Sequence, residues 1–168
     1  MPELGASVAA LEMAIQTELD GFAFYQQFAE RAEDANARVM FQRLAEDEVA
    51  HLELLRNAKA KLEQDGRWSH YAGSAPESAK GAPIFSRERV AQNVVAYTSD
   101  LSALRVAYLI EKDAVDFYAR AAEETSDPDG KRMFLDLVRM EQGHLDLLEG
   151  EYRFLRSQFQ NAMGFAPF

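Results

Sequence analysis

The chain has 168 residues, 48% apolar and 27% charged, enough for one domain with its own core and unlike the composition of disordered chains. Lysine and arginine total 18 against 28 aspartates and glutamates; the net charge of −10 argues against nucleic acid or an anionic membrane surface as partner. With no cysteine, disulfides, thiolate metal sites, iron–sulfur clusters and cysteine nucleophiles are all excluded.

Helical periodicity dominates from the start. A first helix is predicted from about Ser7 to Glu33, with Leu11, Ile15, Glu18, Phe22, Tyr25 and Ala29 facing inward. Asp34-Ala35-Asn36 is a break rich in capping residues. A second helix follows to about Gln64, carrying Phe41, Leu44, Glu48, His51, Leu55, Ala58 and Leu62 on one stripe, and Asp65-Gly66 ends it. These two form a hairpin over about 7–64. From about 65 to 99, Gly73, Pro76, Gly81 and Pro83 mark a long crossover, within which Ser86 is placed to cap a short helix over 87–96. A third helix is predicted from near Asp100, with Leu101, Leu104, Tyr108, Glu111, Val115, Tyr118 and Ala122 inward. Asp127-Pro128 restarts the chain as a fourth helix bearing Met133, Phe134, Leu137, Glu141, His144, Leu148 and Leu155. This second hairpin spans about 100–160, and Asn161 to Phe168 reads as an apolar tail. Nothing approaches the eighteen or so apolar residues of a membrane span, and no basic stretch precedes an apolar run at the N-terminus, so a soluble, cytoplasmic protein is expected.

The two hairpins are copies of each other. Shifting residues 18–55 by 93 positions lays them on 111–148 without a gap, and 15 of the 38 aligned positions are identical. The match includes Glu18 with Glu111, Tyr25 with Tyr118, Phe41 with Phe134, Glu48 with Glu141 and His51 with His144. The predicted fold is therefore all-α: a single ferritin-like antiparallel four-helix bundle made of two duplicated hairpins joined by a long crossover.

Each hairpin offers one glutamate on its first helix and a Glu-x-x-His on its second. Residues three apart on a helix project together, so each Glu and His pair can present an oxygen and a nitrogen to one point. Levels agree as well as faces. Glu18 and Glu48 are equidistant from residue 33, and Glu111 and Glu141 from residue 126, both at the predicted turns. Six side chains thus converge at mid-bundle. Four carboxylates in an apolar core need a counter-charge, and two divalent cations would supply it. Oxygen-rich sites with one histidine per metal suit iron or manganese better than zinc. A single Glu-x-x-His is a weak signal, more often a surface or capping pair; its repetition in register, thirty residues after an inward glutamate each time, is specific.

On these residues the chain resembles the ferritin-like superfamily of di-iron carboxylate proteins and, within it, the rubrerythrin family, over roughly residues 8–64 and 100–157. The resemblance implies two iron ions per chain, with manganese the alternative. Glu18 and Glu111 would be terminal ligands, Glu48 and Glu141 would bridge, and His51 and His144 would supply terminal nitrogens. Tyr25 and Tyr118 follow the first- and third-helix glutamates by seven residues; in relatives a tyrosine at this spacing often orients a ligand carboxylate, the alternative being plain core aromatics. The chain departs from the family pattern in lacking cysteines for a rubredoxin domain, and in carrying Ala107-Tyr108 where many members have an extra glutamate. A stand-alone domain is implied.

The implied function is an oxidoreductase acting on dioxygen or hydrogen peroxide, in peroxide detoxification or ferrous iron oxidation, with electrons from an external donor. Iron binding or storage without turnover is one alternative. A metal-stabilised structural or interaction bundle is another. A homo-oligomer is expected, a dimer favoured over a storage shell. Phe154, Phe159, Phe165 and Phe168 would serve either as a subunit interface or as a cap on the bundle's own end. His70, beside Trp68 and Tyr71, reads as a lone loop histidine, and the charges at Glu30–Asp34 and Glu46-Asp47 as solvated faces. No phosphate-binding glycine loop, Gly-x-Ser-x-Gly elbow or aromatic-interleaved basic patch is present.

Overall fold

The structure, a computed structural model, describes residues 2–68 and 94–164. Over these residues the chain forms four helices and no strand: α1 (Pro2–Arg31), α2 (Ala35–Asp65), α3 (Val94–Glu124) and α4 (Pro128–Ala162). Most of the crossover, residues 87–93 of its short helix, His70 with Tyr71, and Phe165 and Phe168 lie outside the described residues. No helix among the described residues is long and apolar enough to cross a membrane.

Both hairpin turns are made the same way. Asp34 sits in an extended conformation before α2, and its carboxylate accepts from the backbone N–H groups of Asn36 and Ala37 at 2.8 and 3.0 Å. Asp127 does the same before α4, accepting from Asp129 and Gly130 at 2.8 and 3.3 Å, with Pro128 preset for the first turn. At the far end of α2, Gly66 adopts a left-handed φ of 67° and returns its N–H to Leu62 O, closing the helix.

Helix starts differ from those predicted. The first helix begins at Pro2 rather than Ser7 and ends at Arg31. The third begins at Val94, so residues 94–99 belong to the helix and not to the crossover. Asp100, read from sequence as a start signal, lies inside α3 and serves the other hairpin: its Oδ2 accepts the backbone N–H of Asp34 at 2.9 Å. Tyr108 also departs from the predicted stripe. It is exposed, and Ala107 takes the inward position one turn before Glu111.

The core is divided along its length. One apolar cluster gathers Tyr25, Phe41, Leu44, Leu104, Ala107, Leu148 and Leu155, with Phe154 and Phe159 packed against it. The other gathers Leu11, Leu55, Leu62, Tyr118, Met133, Phe134 and Leu137. Every helix runs from one cluster to the other, and the buried polar residues between the two are the glutamates and histidines singled out above. The order of the clusters makes α1 antiparallel to α3 and α2 antiparallel to α4, so α2 ends at the opposite end of the bundle from the start of α3.

Trp68 closes the second cluster, its indole edge-on to Phe134 with ring centres 5.9 Å apart. It lies over Gly130, where an added Cβ would stand 2.5 Å from the indole Cε2 and 2.8 Å from Thr125 Cγ2. Alanine favours a helix by about 1 kcal/mol over glycine, but displacing a packed indole costs about 1–3 kcal/mol. Gly130→Ala is therefore expected to lower the unfolding midpoint in denaturant; an unchanged or raised midpoint would show that Trp68 does not anchor this turn.

Candidate metal centre

Glu18 on α1, Glu48 and His51 on α2, Glu111 on α3, and Glu141 and His144 on α4 meet at the middle of the bundle. None is more than 4% exposed. Their donor atoms fall into two overlapping groups of four: Glu18, Glu48, His51 and Glu141, and Glu48, Glu111, Glu141 and His144, the atoms of each group lying within 4.8 Å of one another. Glu48 and Glu141 belong to both. His51 Nδ1 lies 3.1 Å from Glu18 Oε2, 3.1 Å from Glu141 Oε1 and 3.4 Å from Glu48 Oε2. His144 Nδ1 lies 2.8 Å from Glu141 Oε2 and 3.2 Å from Glu111 Oε1. The two imidazoles stack, 5.4 Å between centres. All six residues singled out from sequence are thus brought together.

The tyrosines close the arrangement crosswise. The Tyr25 hydroxyl of the first hairpin donates to Glu111 of the second, and the Tyr118 hydroxyl of the second donates to Glu18 of the first. A helical side chain leans toward its own N-terminus, which carries each phenol from two turns away back to mid-bundle. Each phenol thus has a buried carboxylate as its partner.

Charge balance at this point is strained. Burial, then the neighbouring Glu18, holds Glu48 well above the usual carboxylate range. Burial pushes Glu111 up to about 7 against the opposing hydrogen bond from His144. Burial acts the same way on Glu141, but His144 and His51 outweigh it and hold this carboxyl well below its ordinary value. Burial would lower both histidines; the Glu141 carboxylate overrides it and raises them. Both phenols are raised by burial and then by the carboxylate each one contacts.

The side chains could hold metal. Glu48 Oε2 and both oxygens of Glu141 are buried and accept no hydrogen bond of good geometry, although an imidazole nitrogen lies within 3.4 Å of each; these are the two carboxylates shared by both groups. A buried acceptor left without a partner costs about 1–3 kcal/mol, more if charged. Cations between the groups would meet that need, and the donor set, oxygen-rich with one imidazole in each group, matches hard or borderline divalent metals.

Two contributors escaped the sequence reading. Gly21, one turn after Glu18, leaves room for Glu48: a Cβ there would stand 3.0 Å from Glu48 Oε1. A glycine inside a long helix of good helix formers was the available signal. Asp47, expected on a solvated face, places Oδ2 3.6 Å from His144 Nε2. Its mark in the sequence is a break in the duplication, since the matching position holds Met140.

Comparison with known proteins agrees with this geometry. The rubrerythrin family profile matches residues 9–152. The chain is 31% identical over 134 residues to the uncharacterized protein YhjR of Bacillus subtilis (strain 168), covering 80% of this chain and 78% of that one. Its fold is similar to that of a hypothetical protein from Pyrococcus furiosus, with a TM-score of 0.66, 25% identity and 90% of each chain covered. Duplicated hairpins around paired Glu and Glu-x-x-His residues, and a family match spanning both of them, place this chain in the rubrerythrin family.

Proposed function

We propose that the protein is a di-iron oxidoreductase that passes electrons, from ferrous iron or an external donor, to dioxygen or hydrogen peroxide. The observation that carries this reading is the pair of shared carboxylates, Glu48 and Glu141, with oxygens that accept no well-aligned hydrogen bond among six buried Glu and His residues. Glu18 and His51 would hold one metal, Glu111 and His144 the other, and Glu48 and Glu141 would bridge them; manganese could take the same donors. When bound, such a pair supplies two adjacent redox ions suited to a two-electron reduction.

The chain's own groups set the conditions. Tyr25 and Tyr118 orient Glu111 and Glu18, and their raised pKa keeps both phenols protonated as donors. The two apolar clusters exclude bulk water on either side along the bundle. Electrons have no thiolate-bound centre to pass through in this chain, so the donor is external. Dimerisation belongs to the same reading: Leu109 and Tyr108 on α3 are exposed beside Tyr152 on a continuous groove.

Protein loaded anaerobically with ferrous iron is expected to retain two irons per chain by elemental analysis and to show rapid ferrous oxidation in its optical spectrum after peroxide or air. Failure to retain iron would overturn the proposal. Retained iron inert to both oxidants would identify a metal-stabilised bundle instead, and elution as a large shell rather than a dimer would identify storage.

A further inference from the structure

We infer that Asp47 positions His144 and thereby makes the two metal positions of the proposed pair inequivalent. This rests on the di-iron reading. The imidazole of His144 is held from both sides. Its Nδ1 faces Glu141, Glu111 and Glu48 at 2.8, 3.2 and 4.0 Å, and its Nε2 faces Asp47 Oδ2 at 3.6 Å. At that distance Asp47 makes an ion-pair contact rather than a hydrogen bond. A carboxylate facing Nε2 favours the tautomer with its proton there, which turns the Nδ1 lone pair toward the metal position and fixes the ring's orientation.

His51 is arranged differently. The carboxylates of Glu18, Glu48 and Glu141 all approach its Nδ1. By the offset of 93, the residue that corresponds to Asp47 is Met140, buried and unable to supply a charge. The duplication keeps all six Glu and His residues and both tyrosines, yet among the described residues a carboxylate faces the Nε2 side of His144, while those near His51 all approach Nδ1. Asp47 projects from α2 of the first hairpin onto the histidine of the second, so the asymmetry also couples the hairpins. Position one, with Glu18 and His51, lacks this support; position two, with Glu111 and His144, has it.

The test uses anaerobic titration of the full chain with ⁵⁷Fe(II), followed by Mössbauer spectroscopy. Wild-type protein is expected to give two ferrous doublets of equal area but different splitting. Asp47→Asn is expected to shift one doublet, leave the other in place, and weaken binding of one iron by roughly 10- to 100-fold. Asp47→Glu, which keeps the carboxylate, is expected to restore most of that loss, whereas Met140→Leu alters neither doublet. A single doublet in the wild type, or an Asp47→Asn effect that is absent or equal on both irons, would overturn the inference. Wild-type protein that binds no iron pair would overturn the di-iron reading, and this inference with it.

Discussion

Glu141→Ala protein, loaded anaerobically with ferrous iron, is expected to retain neither ion of the proposed pair, while Glu63→Ala protein retains both. The contrast follows from where each carboxylate sits. Glu141 is 1% exposed, belongs to both donor groups, and lies closer to both histidines than the other shared carboxylate, Glu48. Its removal takes one donor from each group and leaves Glu48 as the sole shared carboxylate. Glu63 is half exposed and pairs with Lys59 at 2.9 Å on the surface of α2, where water and salt screen the attraction. Both are glutamates on long helices, so loss of charge or helix propensity alone predicts similar outcomes. Elemental analysis after desalting separates the cases, and thermal unfolding supplies a second readout. A ligand at about 100 times its Kd stabilises the folded state by about 2.7 kcal/mol per site, so iron should raise the midpoint of wild-type and Glu63→Ala protein and leave Glu141→Ala unmoved. Equal iron retention in the two variants would refute the ligand assignment.

The six convergent residues were legible because every step from sequence to site is local. The 3.6-residue period places each on the inward face, and a capped turn of fixed length in each hairpin sets their levels. Contacts between hairpins were not legible in that way. Periodicity shows that Tyr25 and Tyr118 face inward, but the partner of each is on the opposite hairpin, reached through an antiparallel pairing of α1 with α3 that no local signal specifies. The misplaced start of α3 has a similar origin. Aspartate before an apolar stripe reads as an N-cap, but Asp100 receives its hydrogen bond from the α1–α2 turn, 66 positions away in the chain, and the helix continues through it. Asp47 was hidden by its neighbours: it adjoins Glu46 in a charged stretch, and only the packing of α2 against α4 turns it toward His144.

Glu151 is the least expected residue of the core. It lies seven residues beyond His144 on α4, fully buried, with no hydrogen-bond partner on either oxygen. Burial, then the charges of Asp34 and Asp100 at the α1–α2 turn, pushes its carboxyl up to about 8. The folded chain therefore holds a proton that the unfolded chain releases near the ordinary carboxylate value. With the folded pKa above the unfolded one, this residue costs no ionic stability at acid pH, and its contribution becomes steadily less favourable as pH rises toward about 8, then levels off. The full span is of the order of 3–5 kcal/mol. Glutamine keeps the shape and removes the titration. The stability of Glu151→Gln relative to wild type, from denaturant unfolding of the metal-free proteins at pH 5 and at pH 8.5, is thus expected to rise with pH by several kcal/mol. Comparing the two proteins at each pH cancels the groups of the candidate metal centre, which are common to both. A difference that does not vary with pH would mean that Glu151 is ionised throughout, and that a charge sits uncompensated beside the turn that joins α1 to α2.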